Sequence, residues 1–222
     1  MVYTRRAVRE DQKERRRREI VDVAWRLFRE RRYAEITVSE VAGEAGLAKG
    51  TVYLYFETKE ELFLSALEHQ LVAWFEYLDG RLREMRDDCD IPEVVGLLCG
   101  SLGKRPALVR ALAIMHGVLE QNVGFGAAMR FKQTLLSRLT RTGSLLEECL
   151  PLLGAGDGVR FLLRAHALIV GLWQLADPAP SSRRALEEPG IEGFRVDFAS
   201  EFPETMRALL RGMQRESKEK RA

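Results

Sequence analysis

The chain has 222 residues, which corresponds to one or two domains. Its composition, 46% hydrophobic and 31% charged, is ordinary for a globular protein and too apolar for a disordered chain. Because 35 Lys and Arg residues nearly balance 33 Asp and Glu residues, the net charge is only +2, which excludes a uniformly polybasic protein but not a locally basic face.

The first 20 residues carry many charges of both signs. The basic positions are Arg5, Arg6, Arg9, Lys13 and Arg15 to Arg18, and the acidic ones are Glu10, Asp11, Glu14 and Glu19. Such a segment can attract a polyanion, but Glu and Arg at short spacing also form pairs within a solvated helix, and both interpretations stay open. Apolar residues then recur on one face, so we predict a helix from about Asp11 to Arg31.

A short helix, a tight turn and a second short helix are predicted next. Thr37 followed three residues later by Glu40 is a capping box, so a helix should start at Thr37. Gly46 can adopt the left-handed conformation that often ends a helix, and a second helix is predicted over about Lys49 to Phe56. The small Ala42 lets the two helices approach closely. This arrangement is typical of a helix-turn-helix.

The rest of the chain is also predicted to be helical. Thr58 and Glu61 repeat the capping-box pattern, which favours a long helix from Lys59 to about Met85. Further helices are predicted near 92–102, 106–119, 127–150, 157–176 and 201–218, and the Pro- and Gly-containing segment 177–193 is a predicted loop. Because β-alternation is nearly absent, the predicted fold class is all-α.

The second helix of the predicted helix-turn-helix has one apolar and one polar side. Val52 and Phe56 are four residues apart and should face the core. The polar side offers a cation, a hydroxyl and two phenols, all able to donate to phosphate oxygens or base edges: Lys49, Thr51, Tyr53 and Tyr55. Alternatively, the two tyrosines merely cover a small core. The whole face favours DNA contact.

The order and spacing of these residues resemble a known family. The residues that carry the resemblance lie between Ala24 and Ala66: Leu27-Phe28, Tyr33, Ile36-Thr37-Val38, Val41-Ala42, Ala45-Gly46-Leu47, Lys49-Gly50-Thr51-Val52-Tyr53, Tyr55-Phe56, Lys59 and Leu62-Phe63. They are similar to the DNA-binding domain of TetR-type (TetR/AcrR) transcriptional regulators. The resemblance covers the first 65 or so residues, and the rest agrees in helix number and order.

The resemblance implies an all-α homodimer with two domains. Residues 1–58 would form an N-terminal three-helix helix-turn-helix domain that binds double-stranded DNA. Residues 59–222 would form a C-terminal helical domain for ligand binding and dimerisation. The apolar residues of 159–173 go nearly all round a helix, and the last helix is also rich in them, so these two helices would pair with their copies in the dimer.

Roles in DNA binding follow from the resemblance position by position. The residues expected to contact phosphates are Thr37, Thr51, Tyr53 and Lys59, and those expected near base edges are Lys49, Gly50, Thr51 and Tyr55. Ala48 departs from the family pattern, because many relatives have a Ser or Thr that caps the recognition helix there. Losing that cap costs about 1 kcal/mol of helix stability.

A ligand pocket is harder to place from the sequence. The candidates combine apolar walls with a few polar groups, as pockets do, although each alone is more typical of core or surface: Trp74, Phe75, Met115, His116, Leu119, Asn122, Phe131, His166 and Trp173. This wall composition indicates a mainly apolar small-molecule effector, aromatic or acyl in character. Whether the loop 177–193 closes over a pocket stays open.

The compartment is inferred from the cysteines and from apolar runs. Cys89, Cys99 and Cys149 are widely spaced and odd in number, so we expect reduced, mostly buried thiols in a cytoplasmic protein. The longest apolar run, around Gly171, is far short of the ~20 residues that a membrane span needs. The N-terminus lacks the apolar stretch of a signal peptide. We therefore expect no membrane association.

Enzymatic chemistry finds little support in the sequence. The three histidines lack HExxH spacing, no P-loop, GxGxxG or GxSxG motif occurs, and no Cys/His cluster has metal-ligand spacing. We therefore expect no catalytic residues, no metal and no cofactor. The favoured function is a ligand-responsive repressor that binds a palindromic operator, with activation still possible. The alternative is an architectural DNA-binding protein that acts through protein partners.

Overall fold

The structure, a computed structural model, describes residues 2–85, 89–151 and 153–219. Within these ranges it is built from α-helices and contains no β-strand, which confirms the predicted all-α class. The helices are α1 (Val2–Glu30), α2 (Val38–Glu44), α3 (Lys49–Tyr53), α4 (Lys59–Glu84), α5 (Ile91–Gly103), α6 (Pro106–Ile114), α7 (Phe125–Cys149), α8 (Asp157–Ala176), α9 (Pro180–Ala185) and α10 (Phe198–Glu219). Shorter pieces are the 3-10 turns Tyr33–Glu35 and Glu192–Phe194 and the π-helical segment Met115–Leu119.

The chain divides into two compact units. The N-terminal unit comprises Met1–Gln70 and Met115–Lys132, and the C-terminal unit comprises Leu71–Ile114 and Gln133–Ala222. Helices α4 and α7 therefore contribute residues to both. The predicted boundary between a DNA-binding domain, residues 1–58, and a ligand-binding and dimerisation domain, residues 59–222, stays a prediction.

Each unit has its own hydrophobic core. In the N-terminal unit, α1 packs on α2 and α2 packs on α3. Its fully buried apolar side chains include Ile20, Ala24, Ile36, Val41, Val52, Phe56, Leu62 and Leu67. In the C-terminal unit, α8 packs on α6 and α10, and α5 also contacts both of these helices. Buried side chains there include Leu78, Leu102, Leu108, Phe161, Phe202, Met206 and Leu210.

Helices α1 and α10 begin three or more residues earlier than the sequence predicted. Helix α1 starts at Val2 rather than near Asp11, and ion pairs within the helix, such as Arg18 with Glu14, support this polar stretch. Helix α10 starts at Phe198 rather than Glu201. Asp197 provides the missed start signal, because its carboxylate accepts the Ser200 N–H at 3.0 Å.

The predicted loop 177–193 is partly helical. Pro180 occupies the first turn of α9, where its missing N–H and fixed φ are tolerated. The Arg183 guanidinium lies 2.7 Å from the Asp177 carboxylate and ties this short helix to the end of α8. The segment therefore has more regular structure than its Pro and Gly content indicated.

Helices α7 and α8 touch through their backbones. They meet at Gly143 and Gly158, where a Cβ placed on Gly158 would lie only 2.1 Å from the Gly143 carbonyl oxygen. Nearby, the Gly158 N–H donates to Glu147 Oε1 at 2.9 Å, which satisfies one free donor at the start of α8. Only glycine at both positions permits this approach.

The expectation of three reduced thiols is wrong for two of them. Cys89, just before α5, and Cys149, at the end of α7, form a disulfide with their Cα atoms 5.4 Å apart. The pair is separated by 60 residues, so only the packing of the C-terminal unit brings the sulfurs together. Cys99 is a free thiol, and burial raises its pKa to about 11.

One helix of the described chain passes a membrane-span test by length and composition alone. This helix is α8, with 20 residues. Only 22% of its most apolar stretch is buried within the chain. Core and interface helices outside membranes pass the same test, so the finding is weak evidence for a span.

Candidate nucleic-acid interface

The first helix of the helix-turn-helix, α2, is closed at its N-terminus by the predicted capping box. Thr37 Oγ1 accepts the Glu40 N–H at 3.2 Å, and the Thr37 N–H donates to Glu40 Oε2 at 2.7 Å. Arg31 Nη1 lies 2.8 Å from Glu40 Oε1. Hydrogen bonds from Arg31, and then from Thr37, lower the pKa of Glu40 to about 2. These contacts fix the end of α2 at which Thr37 is exposed.

The turn after α2 has the geometry of a Schellman motif. Gly46 has a φ of +67°, in the left-handed region that favours glycine. The Leu47 N–H donates to the Ala42 carbonyl at 2.8 Å, and the Gly46 N–H donates to the Gly43 carbonyl at 3.1 Å. The turn therefore satisfies the last carbonyls of α2 and sets the direction in which the chain enters α3.

The second helix, α3, is short and presents most of its surface to solvent. Its N-cap residue, Ala48, makes no side-chain cap, as the sequence indicated. Val52 is the buried residue of the helix, at 1% exposure, and Phe56 is buried just beyond it. The helix ends at Tyr53, three residues earlier than predicted, because the N–H groups of Tyr55 and Phe56 both bond to the Val52 carbonyl in a closing turn.

The predicted base-reading residues lie on the exposed side of α3 and its closing turn. Lys49 and Gly50 are exposed, Thr51 and Tyr55 are half-buried, and Tyr53 is 44% exposed. A Cβ at Gly50 would meet nothing within 4 Å, so packing within the protein does not require a glycine there. These side chains offer an ammonium, a hydroxyl and two phenols to a polyanion.

Lys59, a predicted phosphate contact, is folded against Tyr33. Its Nζ donates to the Tyr33 carbonyl at 2.6 Å and lies 3.9 Å from the centre of the Tyr33 ring. Burial lowers the pKa of this lysine. The Tyr33 hydroxyl donates to Glu60 at 2.5 Å, and burial together with this bond raises its pKa. The ammonium has two further N–H donors, which a phosphate can accept.

The start of α4 is bonded to the segment that follows the π-helical turn. Thr58 Oγ1 accepts the Glu61 N–H at 3.0 Å as the helix cap. The same hydroxyl donates to the Asn122 carbonyl at 2.7 Å, and Asn122 Nδ2 lies 3.3 Å from Glu60 Oε2. Sequence reasoning missed this link, because a backbone carbonyl 64 residues away leaves no local signal.

Five of the nine predicted ligand-binding residues belong to the N-terminal unit. Met115, Leu119 and Phe131 are buried apolar side chains. His116 is 54% exposed, and its Nδ1 lies 3.1 Å from Glu120, so it belongs to a polar surface group. Asn122 is exposed and contacts the start of α4 as described. These residues are therefore partly core and partly surface.

The other four belong to the C-terminal unit. Trp74 and Phe75 are buried with their rings 5.2 Å apart, and the Trp74 indole N–H donates to Ser101 Oγ at 2.8 Å. His166 and Trp173 are half-buried on α8, and the Trp173 ring meets the Phe198 ring edge-on at 5.6 Å. That all nine residues line one pocket stays a prediction.

Comparison with known proteins agrees with this architecture. Residues 20–66 match the sequence family described as "Bacterial regulatory proteins, tetR family". Residues 68–217 match the family described as "Tetracyclin repressor-like, C-terminal domain". Together the two matches cover most of the chain.

Individual relatives are similar mainly in the N-terminal region. The chain is 33% identical over 66 residues to a fatty acid metabolism regulator protein of Bacillus subtilis, covering 30% of this chain and 34% of the relative. It is 31% identical over 94 residues to the transcriptional regulator EthR of Mycolicibacterium smegmatis, covering 41% and 43%. These matches thus span less than half the length of either relative.

Solved structures share the fold over nearly the whole chain. A TetR-family regulator from Mesorhizobium loti has a TM-score of 0.53 at 16% identity, covering 90% of this chain and 96% of that one. The regulator FadR from Bacillus subtilis, solved in complex with stearoyl-CoA, has a TM-score of 0.51 at 20% identity, covering 86% and 97%. Because both family models match, and because the chain has a helix-turn-helix and a helical C-terminal unit, it belongs to the TetR family of bacterial transcriptional regulators.

Proposed function

We propose that this protein is a ligand-responsive repressor that binds a palindromic operator as a homodimer. The observation that carries the proposal is the polar surface of α3. Lys49, Thr51 and Tyr53 lie on a helix that buries only Val52, and Tyr55 lies in the turn that closes it. Their donors are therefore available to a DNA groove. Helix α2, capped at both ends, holds α3 in place.

The exposed side of α8 supports the homodimer. Leu163 is 52% exposed and Leu175 is 56% exposed, and Ala167 and Gly171 are exposed between them. An apolar helix face of this length is typically covered by another protein surface, and a second copy of the chain offers the same face. A two-fold dimer carries two α3 helices, which matches half-sites about one helical turn apart.

A mainly apolar small molecule is the proposed releasing ligand. The FadR structure contains stearoyl-CoA, so an acyl chain is the first class to test. A ligand acts through its different affinities for the DNA-binding and non-binding states. Within the N-terminal unit, the bond from Thr58 to the Asn122 carbonyl links the segment after the π-helical turn to the start of α4. We propose that movement of this segment displaces Lys59.

The DNA-binding test is retardation of a labelled fragment from upstream of the protein's own coding region, at physiological salt with excess nonspecific competitor. We expect competitor-resistant binding and a protected palindrome. Tyr53→Phe removes one phosphate donor and should weaken binding about fivefold, the equivalent of about 1 kcal/mol. Tyr77→Phe, which removes the same hydroxyl from a partly exposed tyrosine of α4, is the matched control and should change nothing.

Two lysine variants separate phosphate contact from base reading. Lys59→Ala should weaken binding to all sequences and lower the salt slope of log K by about 0.9 for one lost phosphate contact. Lys49→Ala should also change the preferred sequence. If neither variant nor Tyr53→Phe changes binding, α3 is not the DNA-reading helix.

The dimer is tested by sedimentation of Leu163→Glu. A charge on the apolar α8 face should give monomers. Leu136→Glu places the same charge on an exposed leucine of α7 and should leave the dimer intact. Equal behaviour of the two variants would place the interface elsewhere.

The effector is tested by adding stearoyl-CoA to the protein–DNA complex, with free coenzyme A as the control that lacks the acyl chain. Release by the acylated compound alone supports an acyl effector. The second candidate, an architectural DNA-binding protein, predicts DNA affinity that no apolar small molecule changes. The exposed α8 face would then bind a different protein partner.

A further inference from the structure

A basic groove lies beside the recognition helix, and all of its charged residues precede the part of the chain that matches the family's DNA-binding domain. It has a volume of about 560 Å³ and is open to solvent. Its lining comes from the first half of α1 and from the turn after α3: Gln12, Lys13, Arg15, Arg16, Glu19 and Tyr55. Of these residues, only Tyr55 falls within the matched residues 20–66. Glu19, the last of the α1 residues, lies one position before that range.

The groove carries a net positive charge. Three cations and one carboxylate line it, which gives +2 at neutral pH. Glu19 is shared between two of the cations, at 3.4 Å from Arg15 Nε and 2.8 Å from Arg16 Nη1. One carboxylate neutralises at most one of the two guanidinium groups, and the Arg15 side chain remains 85% exposed. The groove therefore attracts anions from solvent.

This part of α1 is attached to the N-terminal unit. The Arg17 guanidinium lies 4.7 Å from the centre of the Phe56 ring, and its Nη2 donates to Ser65 Oγ at 2.8 Å. Ile20 is completely buried three residues later. Packing therefore fixes the backbone of α1 that carries the cationic side chains relative to Tyr55, which reduces the entropy lost on binding a ligand.

We infer that this groove binds the phosphodiester backbone of DNA next to the base pairs that α3 reads. The inference rests on the proposed function, in which Tyr55 lies close to the DNA. Since Tyr55 also borders the groove, a duplex that continues past Tyr55, beyond the palindrome, brings its backbone to Lys13 and Arg16. Guanidinium and ammonium groups on a concave surface are suited to phosphate oxygens. The first half of α1 would thus lengthen the bound DNA segment without reading its sequence.

The test compares two duplexes that contain the footprinted operator, one trimmed to the palindrome and one with 10 added base pairs at each end. Two full-length variants are compared with the wild type. Arg16→Gln removes a groove cation, and Arg18→Gln removes a cation two residues further along α1 that is paired with Glu14 and does not line the groove. Each variant loses one charge and one ion pair within the helix, so they are matched.

We expect the wild-type protein to bind the longer duplex more tightly and with a steeper salt dependence. Arg16→Gln should lower the salt slope of log K by about 0.9 for each lost contact on the longer duplex, and Lys13→Gln/Arg16→Gln by about twice that. Arg18→Gln should resemble the wild type. All variants should have equal affinities for the trimmed duplex.

Two other outcomes would contradict the groove inference, and only the second would also contradict the proposed repressor function. If the wild type binds the operator but neither duplex length nor Arg16→Gln matters, the groove is an ordinary solvated helix surface and the inference is wrong. If the wild type shows no competitor-resistant binding to any fragment from an unbiased genomic selection, the proposed repressor function itself fails, and the inference fails with it.

Discussion

The two helices of the helix-turn-helix are stabilised in opposite ways. Helix α2 has seven residues, a capping box at its start, a Schellman turn at its end and three buried residues. Helix α3 has five residues, no side-chain cap and one buried residue, Val52. Isolated helices this short are not stable in water, so α3 depends on its anchors rather than on its own hydrogen bonds.

This difference separates stability from recognition. At the start of α2, the side chains of Thr37 and Glu40 are used within the protein, in the capping box. The polar side chains of α3 and its closing turn remain available to a ligand, but α3 is less stabilised by local contacts than α2. The following variants break or sharpen that contrast, beginning with the largest expected effect.

Val52→Ala removes the anchor of α3. It should reduce the free energy of unfolding by about 2 kcal/mol, because two buried methyl groups are lost. Val41→Ala, at an equally buried position of α2, should have a similar effect on urea unfolding. Under conditions where both variants are folded, only Val52→Ala should weaken DNA binding strongly. Equal DNA affinities would mean that α3 is ordered without its anchor.

Thr37→Ala removes the cap of α2. It should reduce the free energy of unfolding by about 1 kcal/mol, because the Glu40 N–H loses its acceptor. Ser39→Ala changes an exposed hydroxyl in the first turn of the same helix and serves as the control. A loss no larger than that of Ser39→Ala would show that the capping box contributes little to this domain.

Ala48→Ser gives α3 the cap that it lacks. We expect the free energy of unfolding to rise by about 0.5 kcal/mol, since Ser accepts a bond from a first-turn N–H where Ala cannot. If α3 is partly disordered before binding, affinity for DNA should also rise about twofold. Ala48→Val introduces a side chain that cannot cap and should give neither gain, while unchanged affinity for the Ser variant would indicate that α3 is already fully ordered.

The pH dependence of stability tests Glu40. Its pKa is about 2 in the folded protein, below the 4.5 of an ordinary glutamate. The stabilisation is therefore complete above about pH 4.5 and is lost as the pH falls towards 2. In urea unfolding from pH 6 to pH 3, Glu40→Gln should be less stable than the wild type at pH 6, and the difference should shrink at pH 3. A constant difference would contradict the assigned pKa.

Features with local signals could be predicted from the sequence. The start of α2, the turn at Gly46 and the bounds of α8 agree with the structure, because capping residues, a glycine and helical periodicity act within a few residues. The absence of a side-chain cap at Ala48 was also predicted from the sequence. The family's fold followed from these same signals.

Features that depend on tertiary contact could not be predicted. The disulfide joins Cys89 to Cys149, which are 60 residues apart in the sequence, and Lys59 turns towards a backbone carbonyl of Tyr33. The basic groove needs Tyr55 and the first half of α1 side by side, although about 40 residues separate them in the sequence. In each case the partner is chosen by packing, which the spacing of residues does not encode.

The contact between Gly143 and Gly158 limits how the C-terminal unit can respond to a ligand. Elsewhere, packed helices slide or separate by small changes in the side chains between them. At this crossing no side chain lies between the backbones of α7 and α8, so there is no layer to deform. The two helices therefore move as one rigid body at that point, and a ligand that shifts α7 would also shift α8 together with its exposed face.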